Sequence, residues 1–255
     1  MNLVGVQLDI VWEDKAATFD RARRLLDAAP PQRGDLVVLP EMFSTGFSMN
    51  VAAIREGAER PAERFLESLA RLYDCYVLGG VVNLAADGRG LNQAVAFAPD
   101  GQQLVRYDKI HPFTMGEESS HYTGGGALQY FEWAGLRVCP QVCYDLRFPE
   151  TFRRATREGA EVFVVIANWP SYREHHWTTL LAARAIENLA FVIGVNRCGT
   201  DPKHPYPGRT QIVDPKGAVL ADAGPRAGVV AAPVDPAAVA TWRKAFPALA
   251  DIKSL

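Results

Sequence analysis

Apolar residues along this chain recur at two different spacings. Short runs rich in β-branched residues stand at Leu3 to Leu8, Leu36 to Leu39, Tyr76 to Val82, Ala94 to Ala98, Val162 to Ala167 and Phe191 to Asn196. Their length and composition predict strands. Between them, Ala17 to Ala28, Ala62 to Tyr73, Pro149 to Glu158 and His176 to Leu189 carry apolar residues at helical spacing, which predicts helices with one buried stripe each. Pro149 suits the first turn of its helix, where a missing N–H costs nothing. Hairpin turns are predicted at Asp100-Gly101, Ala134-Gly135 and Asp214-Pro215-Lys216-Gly217, because each sets turn-forming residues between strand-like runs.

Strands joined both by helices and by hairpins imply mixed sheets whose apolar outer faces need helices to cover them. The fold class is therefore α/β, a helix-covered two-sheet sandwich. No Ser/Gly linker, charge block or solenoid repeat divides the sequence, so residues 1–255 are expected to form a single domain. With 48% hydrophobic and 22% charged residues in a chain of 255, one sizeable core is affordable. Asp201 to Gly208, with three prolines in eight residues, reads as a rigid irregular loop of the kind that often rims a site.

Charge and cysteines narrow the function. A formal net charge of -2, with no long Lys/Arg run, leaves no field to attract a phosphate backbone, so no nucleic-acid partner is expected. No segment has the uninterrupted apolar length of a membrane span. The start Met1-Asn2-Leu3-Val4 enters a strand without a leader-like stretch, so a cytoplasmic protein without a membrane partner is expected. Cys75, Cys139, Cys143 and Cys198 are too few and too scattered for a disulfide framework, and none forms a metal pair; reduced thiols are expected. His111, His121, His175, His176 and His204 show no metal-ligand spacing and read as surface or packing residues.

Three polar residues stand where strands end. Asp35-Leu36-Val37-Val38-Leu39-Pro40-Glu41 reads as a strand stopped by proline that delivers Glu41 at its carboxyl end, the usual rim of a site in α/β sheets. From this segment alone an ordinary solvated turn glutamate fits equally well. Leu136 to Cys143 reads as a second strand, with Cys143 just before Tyr144-Asp145 and the Pro149 helix. Such a strand-to-helix turn can mount a nucleophile and aim backbone N–H groups, led by that of Tyr144, at an oxyanion. A buried structural thiol is the more common fate of a free cysteine. Cys139 competes, because period-two alternation puts it on the same face as Cys143; position relative to the turn favours Cys143. Lys109 follows Leu104-Val105-Arg106-Tyr107 and precedes an irregular loop. It reads either as a solvated lysine or as a cation that stabilises an oxyanion in a dry site. Pro140 removes a ladder donor close to Cys143, which predicts a bulge or an edge there.

Leu39-Pro40-Glu41-Met42-Phe43, Tyr107-Asp108-Lys109-Ile110-His111 and Val142-Cys143-Tyr144-Asp145-Leu146-Arg147-Phe148-Pro149-Glu150 resemble, in order, the three signature blocks of the nitrilase superfamily. Ala167-Asn168-Trp169-Pro170 and Ala183-Arg184-Ala185-Ile186-Glu187-Asn188 resemble its following blocks. The resemblance implies a four-layer α-β-β-α sandwich, Cys143 as nucleophile, Glu41 as base, Lys109 as oxyanion partner and a second glutamate, with Glu118 favoured over Glu117. It also implies a homodimer and a small amide substrate, and the chemistry needs no cofactor. Within the superfamily the chain is most similar to the omega-amidase branch, which acts on 2-oxoglutaramate and 2-oxosuccinamate. Other short amides, deaminated glutathione, a true nitrile or a catalytically idle binding role stay open. Tyr144, Phe43 and Trp169 are candidate pocket walls. Arg147, Arg173 and Arg197 are available for a distal carboxylate, with none singled out.

Overall fold

The computed structural model describes residues 1–253. Strands β1 (Asn2–Gln7), β2 (Leu36–Val38), β3 (Tyr76–Leu84), β4 (Gly90–Phe97) and β5 (Gln103–Asp108) open the chain. Then come β6 (Phe131–Trp133), β7 (Leu136–Val142), β8 (Val162–Ala167) and β9 (Phe191–Asn196). The series closes with β10 (Cys198–Thr200), β11 (Pro205–Pro207), β12 (Gln211–Val213), β13 (Val219–Asp222) and β14 (Gly228–Pro233). Helices are α1 (Lys15–Ala28), α2 (Val51–Ile54), α3 (Pro61–Tyr73), α4 (Glu118–His121), α5 (Pro149–Arg157), α6 (Glu174–Asn188) and α7 (Ala237–Ala245).

Two six-stranded mixed sheets result, ordered β14-β1-β2-β3-β4-β5 and β13-β12-β9-β8-β7-β6, with β10-β11 as a separate hairpin. Each sheet centres on three parallel strands, β1-β2-β3 in one and β7-β8-β9 in the other. Parallel neighbours need crossovers, which α1, α3, α5 and α6 supply. All three predicted hairpin turns join antiparallel strands.

Side-chain parity builds the layers. Val162, Val164 and Ile166 of β8 point between the sheets and meet Leu36, Val38 and Leu78. The alternate residues Phe163 and Val165 meet Phe152 of α5 and Trp177 and Leu181 of α6. On the other sheet, Val4, Val37 and Val77 pack under Leu26 of α1 and Leu66 and Leu69 of α3. The order is α-β-β-α, and strands covered on both faces explain why their runs are almost wholly apolar. Pro149 occupies the first turn of α5. No helix among the described residues is long and apolar enough to cross a membrane.

Two readings change in detail and a third narrows. β4 begins at Gly90, before the apolar run at Ala94, because Asn92 and Gln93 spend their polar ends inside the protein. The Asp201 to Gly208 loop contains β11, paired with β10. Pro140 stays in register with Val164 at a point beyond Val138, the last β7 residue that β6 accompanies. It therefore lies at an edge rather than a bulge, where a missing N–H is tolerated.

Candidate active site

The ladder between β2 and β3 runs on past β2: the Leu39 N–H donates to the Leu78 carbonyl (2.8 Å) and the Gly80 N–H to the Pro40 carbonyl (3.0 Å). Glu41 thus leaves a fixed backbone, and Met42 turns the chain with φ 42°. Gly80 permits the approach, since a Cβ there would overlap the Met42 nitrogen and the Glu41 Cα.

Cys143 has φ 48°, in the left-handed region that side chains rarely adopt. It leaves the strand at this point and opens a tight 3-10 turn, Cys143–Arg147. Strand parity therefore stops short of it. Cys139 is buried under the helical layer, whereas Cys143 is partly open to a cavity. Buried Asp145 ties the turn down. Its carboxylate accepts from the Val142 N–H (3.0 Å), the Tyr107 hydroxyl (2.8 Å) and the His111 N–H (2.9 Å), and it contacts His111 Nδ1 at 2.8 Å. The His111 ring also stacks on Phe148 at 3.7 Å, so this histidine is a packing residue.

Lys109 follows β5 and is held by its N–H donating to the Asn92 carbonyl (2.9 Å). Its buried ammonium donates to Glu41 Oε1 (3.0 Å) and Glu118 Oε2 (2.7 Å). Asn92 Nδ2 bridges the same two carboxylates at 2.7 and 2.8 Å. The Asn168 N–H, at the end of β8, donates to Glu41 Oε2 (2.8 Å), and the Phe113 N–H donates to Glu118 Oε2 (2.6 Å). Glu118 is fully buried in this cluster; Glu117 is exposed at the cavity rim.

The environments split the two carboxylates. Burial alone would raise Glu41, but the Lys109 charge and hydrogen bonds from Asn92, Lys109 and Asn168 outweigh it and hold its pKa below the ordinary 4.5. Burial raises Glu118, and the Glu41 charge adds to it against Lys109. The ammonium of Lys109 is desolvated, yet the Glu118 and Glu41 charges push its pKa up. Burial and then the Glu41 charge drive the Cys143 thiol well above 9.0, against a downward pull from Lys109. The result is a neutral thiol beside an ionised carboxylate and a firm cation, a set able to perform base-assisted nucleophilic attack.

A cavity of about 310 Å³ adjoins Cys143, with Tyr144 and Trp169 among its walls. Phe43 is not a wall: it is buried with Phe19 and Phe65 under the helices of the first sheet, because the turn at Met42 points it away from the sheet–sheet side. Arg147 and Arg173 line the cavity. Arg197 instead is buried and donates to the carbonyls of Ile10 (3.2 Å) and Thr200 (2.9 Å). Asp201, Lys203, His204 and Tyr206 form part of the rim, as the proline-rich loop predicts. Sequence reasoning gave no role to Asn92, Asn168 or Phe47. The polar pair Asn92-Gln93 beside an apolar run was the available signal for the first; Phe47, 5.4 Å under Lys109 Nζ, carried none.

Residues 5–244 match the Carbon-nitrogen hydrolase family. The chain is 40% identical to "Omega-amidase YafV" of Yersinia enterocolitica, over 98% of this chain and 96% of the relative. It is 32% identical to "2-oxoglutaramate amidase" of Bacillus subtilis, over 97% and 96%. Among solved structures, XC1258 of Xanthomonas campestris, a CN-hydrolase superfamily protein crystallised with an arsenic adduct in its active site, superposes with TM-score 0.91 at 35% identity, over 100% of this chain and 98% of that one. Family match, relatives and fold agree: the chain belongs to the carbon-nitrogen hydrolases of the nitrilase superfamily, in its omega-amidase-like branch.

Proposed function

We propose that this chain hydrolyses the terminal amide of short 2-oxo dicarboxylic acid monoamides, 2-oxoglutaramate and 2-oxosuccinamate, to the acid and ammonia. Glu41 takes the thiol proton as Cys143 sulfur attacks the amide carbon. Lys109 and the Tyr144 N–H, in the first turn of a helix-like segment where donors lack partners of their own, hold the oxyanion. Glu41 returns the proton to the leaving nitrogen; ammonia departs and a thioester remains. Water then gives a proton to Glu41 and attacks the thioester, which releases the acid and restores the thiol. Glu118 orients Lys109.

The observation that carries this reading is the buried Glu41–Lys109–Glu118 cluster beside a half-open Cys143. The choice of amide draws on the omega-amidase and 2-oxoglutaramate amidase relatives. The reading includes one catalytic domain over residues 1–255, a cytoplasmic setting in keeping with four free thiols, and a homodimer, for which exposed Ile186, Val219 and Leu220 offer apolar surface. The test is ammonia release from 2-oxoglutaramate, with glutamine, deaminated glutathione and a simple nitrile for comparison, in the wild type and in Cys143→Ala. Turnover of the oxo-amide that vanishes in the variant is expected. Preference for another substrate would sink the specificity, and full activity in the variant would sink the nucleophile.

A further inference from the structure

Two guanidinium groups share the cavity with Cys143. Arg147 lies over Trp169 at 4.7 Å and over Tyr144 at 6.0 Å; Arg173 lies over Tyr172 at 4.7 Å and Phe113 at 5.2 Å. Each guanidinium carbon therefore lies near two aromatic rings, a contact that holds the group in place without using up its N–H donors. Among the described residues no carboxylate pairs with either one. Arg147 instead reaches the His176 ring nitrogen, at 3.2 Å. Their positions are braced, since Trp169 Nε1 donates to the Arg173 carbonyl at 2.8 Å.

The two cations are close enough to act on each other: burial and then the Arg173 charge both depress the Arg147 pKa. Like charges held together in a half-enclosed cavity, with no anion beside them, are a cost that a bound anion would relieve. The acids at the rim do not supply it. Asp201 is occupied by the Lys203 and His204 N–H groups, both at 2.7 Å, and by the Tyr206 hydroxyl at 2.5 Å, and Glu117 is exposed.

We propose that Arg147 and Arg173 form a carboxylate clamp that takes the acid end of the substrate while the amide end meets Cys143. This rests on the amidase reading for which end meets the thiol. The clamp makes the enzyme selective for short acids with a carboxylate opposite the amide. It also disfavours an amino acid such as glutamine, whose ammonium would sit beside the two guanidiniums. A cavity of about 310 Å³, at the small end of ligand pockets, admits only short substrates.

Arg173→Gln, Arg173→Lys and Arg147→Lys test the clamp by two readouts. The first is the ratio of kcat/KM for 2-oxoglutaramate to that for an uncharged amide of similar length. The second is the concentration of 2-oxoglutarate that half-protects Cys143 from iodoacetamide, which needs no turnover. For Arg173→Gln we expect the ratio to fall and the half-protecting concentration to rise, each by about tenfold to a hundredfold, the worth of a charged hydrogen bond. Loss is expected mainly in KM, and the lysine variants should recover part of it, keeping charge without the fork. If neither readout moves in any variant, the clamp is wrong. If wild-type protein is not protected by the dicarboxylate, the clamp is also wrong, while amide turnover that needs Cys143 would leave the hydrolase reading standing. Protection lost in the variants without turnover of any oxo-acid amide would keep the clamp and overturn the substrate.

Discussion

Glu41 and Cys143 lie in one site yet are pushed toward opposite protonation states. The carboxylate is held below 4.5, and the thiol well above 9.0. In the proposed mechanism Glu41 must be ionised to act, so its own titration should lower kcat/KM only below 4.5, as a pH profile of a Glu118→Gln variant, free of the raised Glu118 titration, would read. Linkage has the same sign for this residue. A depressed pKa adds stability above the unfolded value, and this is lost as pH falls through the folded one. Glu118, raised, works in the opposite sense, its contribution being lost as pH rises through its folded pKa. A second prediction separates charge from catalysis. Glu41→Gln should cut turnover about 10²- to 10⁴-fold and yet lower the Cys143 pKa, because a repelling charge is gone while Lys109 remains. Ultraviolet titration of the thiolate would show it; an unchanged or higher pKa would contradict the electrostatic account. Glu41, Lys109 and Cys143 were visible as residues at strand ends, and the spacing to His121-Tyr122 and the glycines after it favoured Glu118 over Glu117. That they converge was not legible, because nothing in local spacing reports contacts that span up to 127 residues, as between Asn168 and Glu41.

At the scale of elements, the apolar spacing found the strands and helices of both sheet centres, since buried parallel strands and their crossovers carry the strongest pattern. It missed β14, whose residues are mostly half-exposed, and α7, which buries only Val239. It also ran the β7 strand one residue too far, to Cys143, because a left-handed φ at a non-glycine residue has no compositional mark. That turn depends on Asp145, which faces N–H and O–H donors with both oxygens. Asp145→Asn would set an amide against donors on one side. We expect a loss of roughly 3 kcal/mol, from charged bonds of about 1.5–3 kcal/mol each, measured by chemical denaturation, together with a fall in kcat. Gly80→Ala should act differently. Its methyl collides with the Glu41 backbone, so activity should fall more than the denaturation midpoint does, whereas an equal loss of both would point to a merely structural glycine.

For the whole molecule, the layer between the sheets is the largest shared resource. Ile166→Ala removes a fully buried side chain there and should cost about 2–5 kcal/mol. The site draws Glu41, Asn92 and Lys109 from one sheet, and Cys143 and Asn168 from the other. Activity and intrinsic tryptophan fluorescence should therefore be lost at the same denaturant concentration in wild type and variant alike. Activity surviving past the fluorescence transition would mean that the sheets can separate without opening the site. The same division has a consequence during biosynthesis. Cys143 is made after Glu41 and Lys109, but its own turn is locked only once the second sheet has closed over the first. A newly made or partly unfolded chain thus carries an ordinary thiol, and the cluster proposed to activate it exists only inside a finished fold that shelters it from other proteins.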